Sequence, residues 1–214
     1  MKTRDKIIHA SLELFNEHGE RAITTNHIAA HLGISPGNLY YHFRNKQDII
    51  QSIFSLYEGH LEENFQPLQQ GVISPERLVN YFDAIFYSLW QFRFLYANLS
   101  DILQKDESLK QRYHAIQGKV MASGQSIIRQ LVNNGILTIP EDDLERFADT
   151  LKMIVASWIS YRLSQSTHSH IEKPELYDGV SRVIMLTKIY ATPNAKQAFE
   201  QLERRYIELS HSHQ

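Results

Sequence analysis

The chain has 214 residues, with 22 Lys and Arg against 24 Asp and Glu, and no cysteine. That length accommodates one small and one larger domain, while the missing cysteines exclude disulfides, thiol chemistry and cysteine-ligated zinc. A net charge of -2 excludes binding that relies on a broad basic field. The N-terminal Met1 to Lys6 is basic but precedes no apolar run of signal-peptide length. The most apolar stretch, Ala84 to Leu99, is 16 residues long and holds Arg93, too short and interrupted for a membrane span. A soluble, cytoplasmic protein with no membrane partner is expected.

A first helix is predicted from about Asp5 to His18, capped by Thr3 and ended by Gly19, with Ile7, Ile8, Ser11, Leu12 and Phe15 on one face. Lys2, Arg4 and Lys6 at its start are candidates for phosphate contact or simple solvation. Two short helices then follow around Gly33, whose lack of a Cβ permits the tight turn. The second of them, about Pro36 to Phe43, begins with Ser35 as N-cap, Pro36 at the first helical position and an Ile34 to Leu39 staple. Cap, staple and turn together predict a helix-turn-helix.

Leu39 and Phe43 face inward against Ile28, Ala29 and Leu32. The outer face carries Gly37, Asn38, Tyr40, Tyr41 and His42, an aromatic polar surface that packing does not require. Gly37 costs about 1 kcal/mol in a helix interior, which is accounted for if a bulky partner must approach the helix start. A nucleic-acid backbone or base edge fits that need. The run Thr24 to Lys46, with Ile28-Ala29, Leu32-Gly33-Ile34-Ser35, Gly37, Leu39-Tyr40, His42-Phe43 and Asn45-Lys46 at fixed offsets, resembles the DNA-binding domain of the TetR family of bacterial transcriptional regulators. The likeness covers roughly Lys2 to Ile53. It implies that Thr25 and Asn26 touch DNA from the start of one helix. By the same likeness Ser35, Gly37, Asn38 and Tyr41 lie at the groove, and Tyr40, His42 and Lys46 hold phosphates.

Asn45 is predicted to cap a fourth helix, with Asp48 returning a reciprocal bond; Ile49, Ile50, Ile53, Phe54 and Tyr57 carry it towards Phe65. This helix links residues 1-50, the helix-turn-helix domain, to a body over 51-210. Residues 66–74 are expected to form a loop, and Ser74-Pro75 with an Ile73 to Leu78 staple to start the next helix. The following segment is unusually aromatic, with a predicted break near Gln91 to Phe94. A long amphipathic helix from Asp106 to about Asn134 comes next, ending at Gly135, with Gly118, Ala122, Ser123 and Gly124 as a cluster of small residues that suits either a close neighbour or a cavity wall. Glu141, Asp142 and Asp143 open a helix running to about Ser164. Residues 167–174 are a predicted loop, Leu176 to Tyr190 a further apolar helix, and Pro193 starts a last one ending in a polar tail. The fold class is all-α, with nine or ten helices and no strands.

The helices over 141–164 and 176–190 carry more apolar surface than one chain needs to hide, which predicts a four-helix interface in a homodimer; the resemblance implies the same. The aromatic body predicts a cavity for a small, largely apolar or aromatic effector, as the family also implies. Its candidate lining is Phe86, Leu89, Trp90, Phe94, Tyr113, Met121, Trp158 and Tyr161, with Tyr113, Arg93 and Asn98 as polar anchors; each of these is also an ordinary core position. His27 and His31, His168 and His170, and His211 and His213 do not assemble a metal ligand set, His114 is read as a helical surface position, and no nucleophile elbow, phosphate loop or dinucleotide glycine pattern occurs. No metal, cofactor or catalytic residue is expected. The expected function is a homodimeric transcriptional repressor of a near-palindromic double-stranded DNA operator, released by a small molecule. A helix-turn-helix that docks a partner protein, and an enzyme using the aromatic cavity, are the alternatives from other classes.

Overall fold

The computed structural model describes residues 2–66, 75–167 and 170–212. Its order is α1 (Thr3–His18), a 3-10 turn (Glu20–Ala22), α2 (Thr25–His31), α3 (Pro36–His42), α4 (Lys46–Asn64), α5 (Pro75–Gln91), α6 (Arg93–Lys105) and α7 (Glu107–Asn133). A second 3-10 turn (Glu141–Asp143), α8 (Leu144–Gln165), α9 (Lys173–Lys188) and α10 (Pro193–His211) complete it. Among the described residues the one extended pairing is an isolated bridge between Leu137 and Ala191, so the all-α expectation holds. The predicted Ser74 cap, the Ile73 staple, most of the 66–74 loop, His168 and His213 lie outside the described residues.

α1 buries Ile7, Ile8, Ser11, Leu12 and Phe15, the face its apolar spacing marks. Thr3 is not its cap: the helix begins at Thr3, and Lys2 occupies the cap position without a side-chain bond. Phe15 meets Phe94 of α6 at 5.3 Å between ring centres, which joins the small N-terminal bundle to the body. The α5–α6 break falls at Phe92, inside the predicted window. Asn16 of α1 bridges it, donating to the Gln91 carbonyl at 2.9 Å and accepting from the Phe94 N–H at 3.1 Å. The break thus leaves neither of these backbone groups without a partner.

α4 is continuous through position 50, so the expected 1-50 and 51-210 boundary lies within a helix. Asn45 caps it, its Oδ1 accepting from the Asp48 N–H at 2.9 Å. The return bond differs from expectation by one residue: the Asp48 carboxylate accepts from the Arg44 N–H at 3.1 Å. α7 starts at Glu107, one residue past the expected Asp106, whose side chain caps it. α9 starts earlier than Leu176 because the Glu172 N–H donates to the Glu175 carboxylate at 3.0 Å and Pro174 sits in the first turn, an arrangement that turns the end of the predicted loop into helix. α10 lies along α9, secured by the Lys188–Glu203 ion pair, and reaches α5 through Tyr206, which donates to Asp83.

Candidate nucleic-acid interface and interior cavity

The helix-turn-helix is built by local chemistry. At the start of α2, Thr24 Oγ1 accepts from the His27 N–H while His27 Nδ1 accepts from the Thr24 N–H, both at 3.3 Å. This reciprocal cap occupies one ring nitrogen of His27. Gly33 turns the chain with φ of 65°, and the Ile34 N–H returns to the Ala29 carbonyl at 3.0 Å. Ser35 Oγ then accepts from the Asn38 N–H at 3.1 Å to open α3. Leu39, Phe43, Ile28 and Ala29 are buried together, so the opposite face of α3 must look outward.

That face is open. Tyr41 is 85% exposed and Tyr40 49%. Tyr40 and Thr25 share a hydrogen bond of 3.0 Å between their hydroxyls, and Tyr41 and His42 meet edge to face at 5.1 Å. Asn26, Ser35, Gly37 and Asn38 are exposed beside them. A Cβ on Gly37 would meet only Ser35 Oγ, at 3.9 Å; nothing within the chain demands glycine there.

Lys46 stands apart from the other eight candidates. Its ammonium pairs with the Glu20 carboxylate at 2.6 Å and donates to the Glu20 and Ile23 carbonyls at 2.8 and 3.1 Å. All three donors are engaged inside the domain, so a phosphate contact has to replace one of them. Arg4 is likewise engaged, donating to Ser52 at 2.9 Å beside the Phe43 ring.

The body encloses a cavity of about 120 Å³. α4 contributes Tyr57 and Leu61, α5 contributes Leu78, Tyr81, Phe82, Ile85 and Ser88, and α6 contributes Tyr96. α7 supplies Tyr113, Gln117, Val120, Met121, Gly124, Ile127, Ile128 and Leu131, α8 a wall from Ala148 to Ala156 that includes Lys152, and α9 Val183 and Thr187. Its polar groups form a chain: Lys152 donates to the Gln117 carbonyl at 3.4 Å, Gln117 Nε2 donates to Tyr57 at 2.9 Å, and the Tyr57 and Tyr96 hydroxyls are 3.3 Å apart. Burial raises the Tyr57, Tyr96 and Tyr113 phenols and pushes Tyr81 up to about 12. The phenols stay neutral and present no negative charge.

Of the eight candidate lining residues, the structure brings Tyr113 and Met121 to this cavity and places six elsewhere. Phe86 stacks on Tyr177 at 4.0 Å with nearly parallel rings. Leu89 is core. Trp90 sits under Arg93, whose guanidinium is 4.0 Å from its ring centre. Phe94 packs on Phe15. Trp158 is buried against Gly179, and Tyr161 is 54% exposed. The guessed anchors Arg93 and Asn98 bond to the Trp90 and Phe94 carbonyls. Aromatic density marked the packed core of α5 and α6, whereas the cavity follows the inner stripe of α7. One signal was available: Gln117, a polar residue in that otherwise apolar stripe, next to Gly124.

An N-terminal helix-turn-helix with an open aromatic face, joined by one helix to an all-helical body around a cavity, defines a class of sensor-regulator. The profile described as "Bacterial regulatory proteins, tetR family" matches residues 7–53, and that described as "Bacterial transcriptional repressor" matches residues 56–199. The chain belongs to the TetR family. It is similar to a TetR-family transcriptional regulator from Marinobacter aquaeolei VT8 of known structure, with 39% identity, a TM-score of 0.86, and coverage of 96% of this chain and 99% of that one. It is 36% identical to the HTH-type transcriptional regulator QacR of Staphylococcus aureus over 32% of this chain and 37% of that protein. The biofilm operon negative regulator IcaR of the same species is 27% identical over 72% of this chain and 81% of its own length. The chain thus spans little more than a third of QacR. Among the described residues no helix is long and apolar enough to cross a membrane.

Proposed function

We propose that this protein is a DNA-binding transcriptional repressor whose operator affinity is controlled by a small molecule in the interior cavity. The observation that carries it is the outward Tyr40-Tyr41 surface of α3. Large aromatic groups are left in water there, on a helix whose other face is fully packed. Thr25, Asn26, Ser35, Gly37, Asn38, Tyr40, Tyr41 and His42 meet double-stranded DNA, with α3 in the major groove. Residues 1-50 act as the DNA-binding unit and 51-210 as the sensing and dimerising unit, with α4 shared between them.

The working form is a homodimer on a near-palindromic operator. Support comes from apolar side chains left open on the two helices expected to pair: Met153 and Tyr161 on α8, Met185 on α9 and Ile189 just past it. Ile189 is 70% exposed, unusual for an isoleucine with no partner. An effector shifts the population towards a body conformation in which the two α4 helices hold the α3 helices out of register with successive grooves. The protein acts in the cytoplasm and does no covalent chemistry. Footprinting on DNA flanking its own gene tests the proposal: a protected, near-palindromic site lost in Tyr41→Ala is expected. Absence of protection at low salt on every flanking fragment contradicts it, and a monomer in light scattering contradicts the dimer.

A further inference from the structure

The cavity has a chemical bias that its volume alone does not convey. Among the described residues Lys152 is the one charged residue in its lining, and no Asp or Glu lines it. Two carboxylates of α4 are already paired: Glu58 with Arg112, and Glu62 with Lys119 at 2.7 Å. His60, which faces the cavity residue Ser88 at 2.7 Å, is held neutral by burial. Among the described residues, Lys152 has one bond, the 3.4 Å contact to the Gln117 carbonyl. Among the described residues the Lys152 ammonium makes no ion pair and the Tyr113 hydroxyl, one turn before Gln117 on α7, has no protein hydrogen-bond partner.

The rest of the wall differs. Beyond Gln117 the α7 lining runs through Val120, Ile127 and Ile128 to Leu131, a span of roughly 21 Å at helical rise. Leu78 of α5 and Phe65, just past α4, also line the cavity. Its neutral hydroxyls there are Tyr81, near Gly124, where a Cβ would lie 3.7 Å away, Ser88, bonded to His60, and Thr187, bonded to the Val183 carbonyl. The space left between these side chains, about 120 Å³, admits a narrow chain more readily than a bulky ring system.

Resting on the assignment of this cavity as the effector site, we propose that the effector is a slender amphipathic monocarboxylate. Its carboxylate is held by Lys152 and Tyr113, and its apolar chain runs along α7 towards Leu131. A carboxylate supplies the missing counter-charge and accepts from both free donors. A cation would be repelled by the ammonium, and a neutral chain would give its charge no partner.

The test is isothermal titration calorimetry on the full chain without DNA, using hexanoate, octanoate, decanoate and dodecanoate, with octanol and octylamine as matched controls. At least one carboxylate is expected to bind about tenfold or more tighter than octanol, and octylamine not at all. Lys152→Met, which keeps the apolar stem, should lose about tenfold or more of carboxylate affinity and none for octanol; Lys152→Arg should retain most of it, and Tyr113→Phe should lose a few-fold. Circular dichroism of each variant establishes that it folds. Equal binding of octanol, preference for octylamine, no binding of any carboxylate, or an unchanged Lys152→Met each overturns the proposal. The two proposals fail separately: carboxylate binding that leaves operator occupancy untouched refutes effector control of DNA binding, whereas operator release by octanol alone refutes the carboxylate.

Discussion

Gln51 and Asp106 are 55 positions apart in sequence, and Gln51 Nε2 donates to Asp106 Oδ2 at 2.8 Å. The same oxygen accepts from Gln47 at 3.0 Å, while Oδ1 caps α7 through the Leu109 N–H at 3.0 Å. One carboxylate therefore starts the helix that lines the cavity and grips the helix that carries the DNA-binding domain. The Gln51 bond first, then the Leu109 N–H, holds this carboxyl below the usual carboxylate range. Its stabilising effect is present above the unfolded pKa of about 3.9 and is lost as pH falls through the lower folded value. Asp106→Ala should cost about 1–2 kcal/mol, read by thermal unfolding. It should also reduce the effect of a bound effector on operator affinity while leaving effector affinity itself nearly unchanged. Unaltered coupling in a folded Asp106→Ala protein would show that the contact only holds the helices together.

Tyr41 and Lys46 should behave as opposites. Tyr41→Ala removes an exposed ring, so the melting temperature should hold while discrimination between operator and random DNA falls by about 1–3 kcal/mol. Lys46→Ala strands Glu20, which is 7% exposed, and should cost roughly 2–3 kcal/mol of stability with little change in the salt dependence of DNA binding. A decrease of about one in that salt slope, at constant stability, would instead show that Lys46 leaves Glu20 for a phosphate.

Gly179 is confined by a ring. A Cβ there would lie 2.5 Å from Trp158 Cδ1 and Nε1, and the indole is fixed by its N–H bond to the Glu175 carbonyl at 2.7 Å. Gly179→Ala should therefore destabilise by about 1–3 kcal/mol through overpacking, despite alanine's better helix propensity. A melting temperature equal to or above that of the parent would mean that α8 and α9 separate without cost.

His60 gives stability a pH dependence with a definite sign. Burial lowers its pKa against a smaller opposing effect of Glu63, and Nδ1 sits 3.1 Å from Asn64 Nδ2 while Nε2 sits 2.7 Å from Ser88. The folded state favours the neutral ring, so this contribution is complete above the unfolded pKa of about 6.5 and declines as pH falls below it towards the folded value. The drop in melting temperature between neutral and mildly acidic buffer should shrink in His60→Gln. An identical drop in both proteins would remove His60 from the account.

The DNA-binding unit was legible in the sequence because its determinants are local. Thr24, Gly33, Ser35 and Pro36 act within a few residues of themselves, and the buried pair Leu39 and Phe43 follows from spacing alone. The cavity was not, because it depends on which faces of six helices meet. Tyr57 continued an apolar stripe and gave no sign that its hydroxyl would look into an interior space. Phe94 carried the same aromatic signal as Tyr113 but is taken up by Phe15, a partner 79 positions earlier in the chain. Nothing in the sequence separates Lys152 from the other cations of α8, and only the packing of α7 beside α8 brings it to the cavity.

The position of Tyr57 also bears on how quickly a bound molecule is felt. Its phenol belongs to the chamber wall, yet its backbone is part of the same rigid rod that begins at Lys46, eleven residues and roughly 16 Å away. Under the proposed effector control, a guest competing for the Gln117 to Tyr57 bond would act on that rod directly. On that proposal, sensor and lever are then one piece of chain, reinforced by the Asp106 contact from α7.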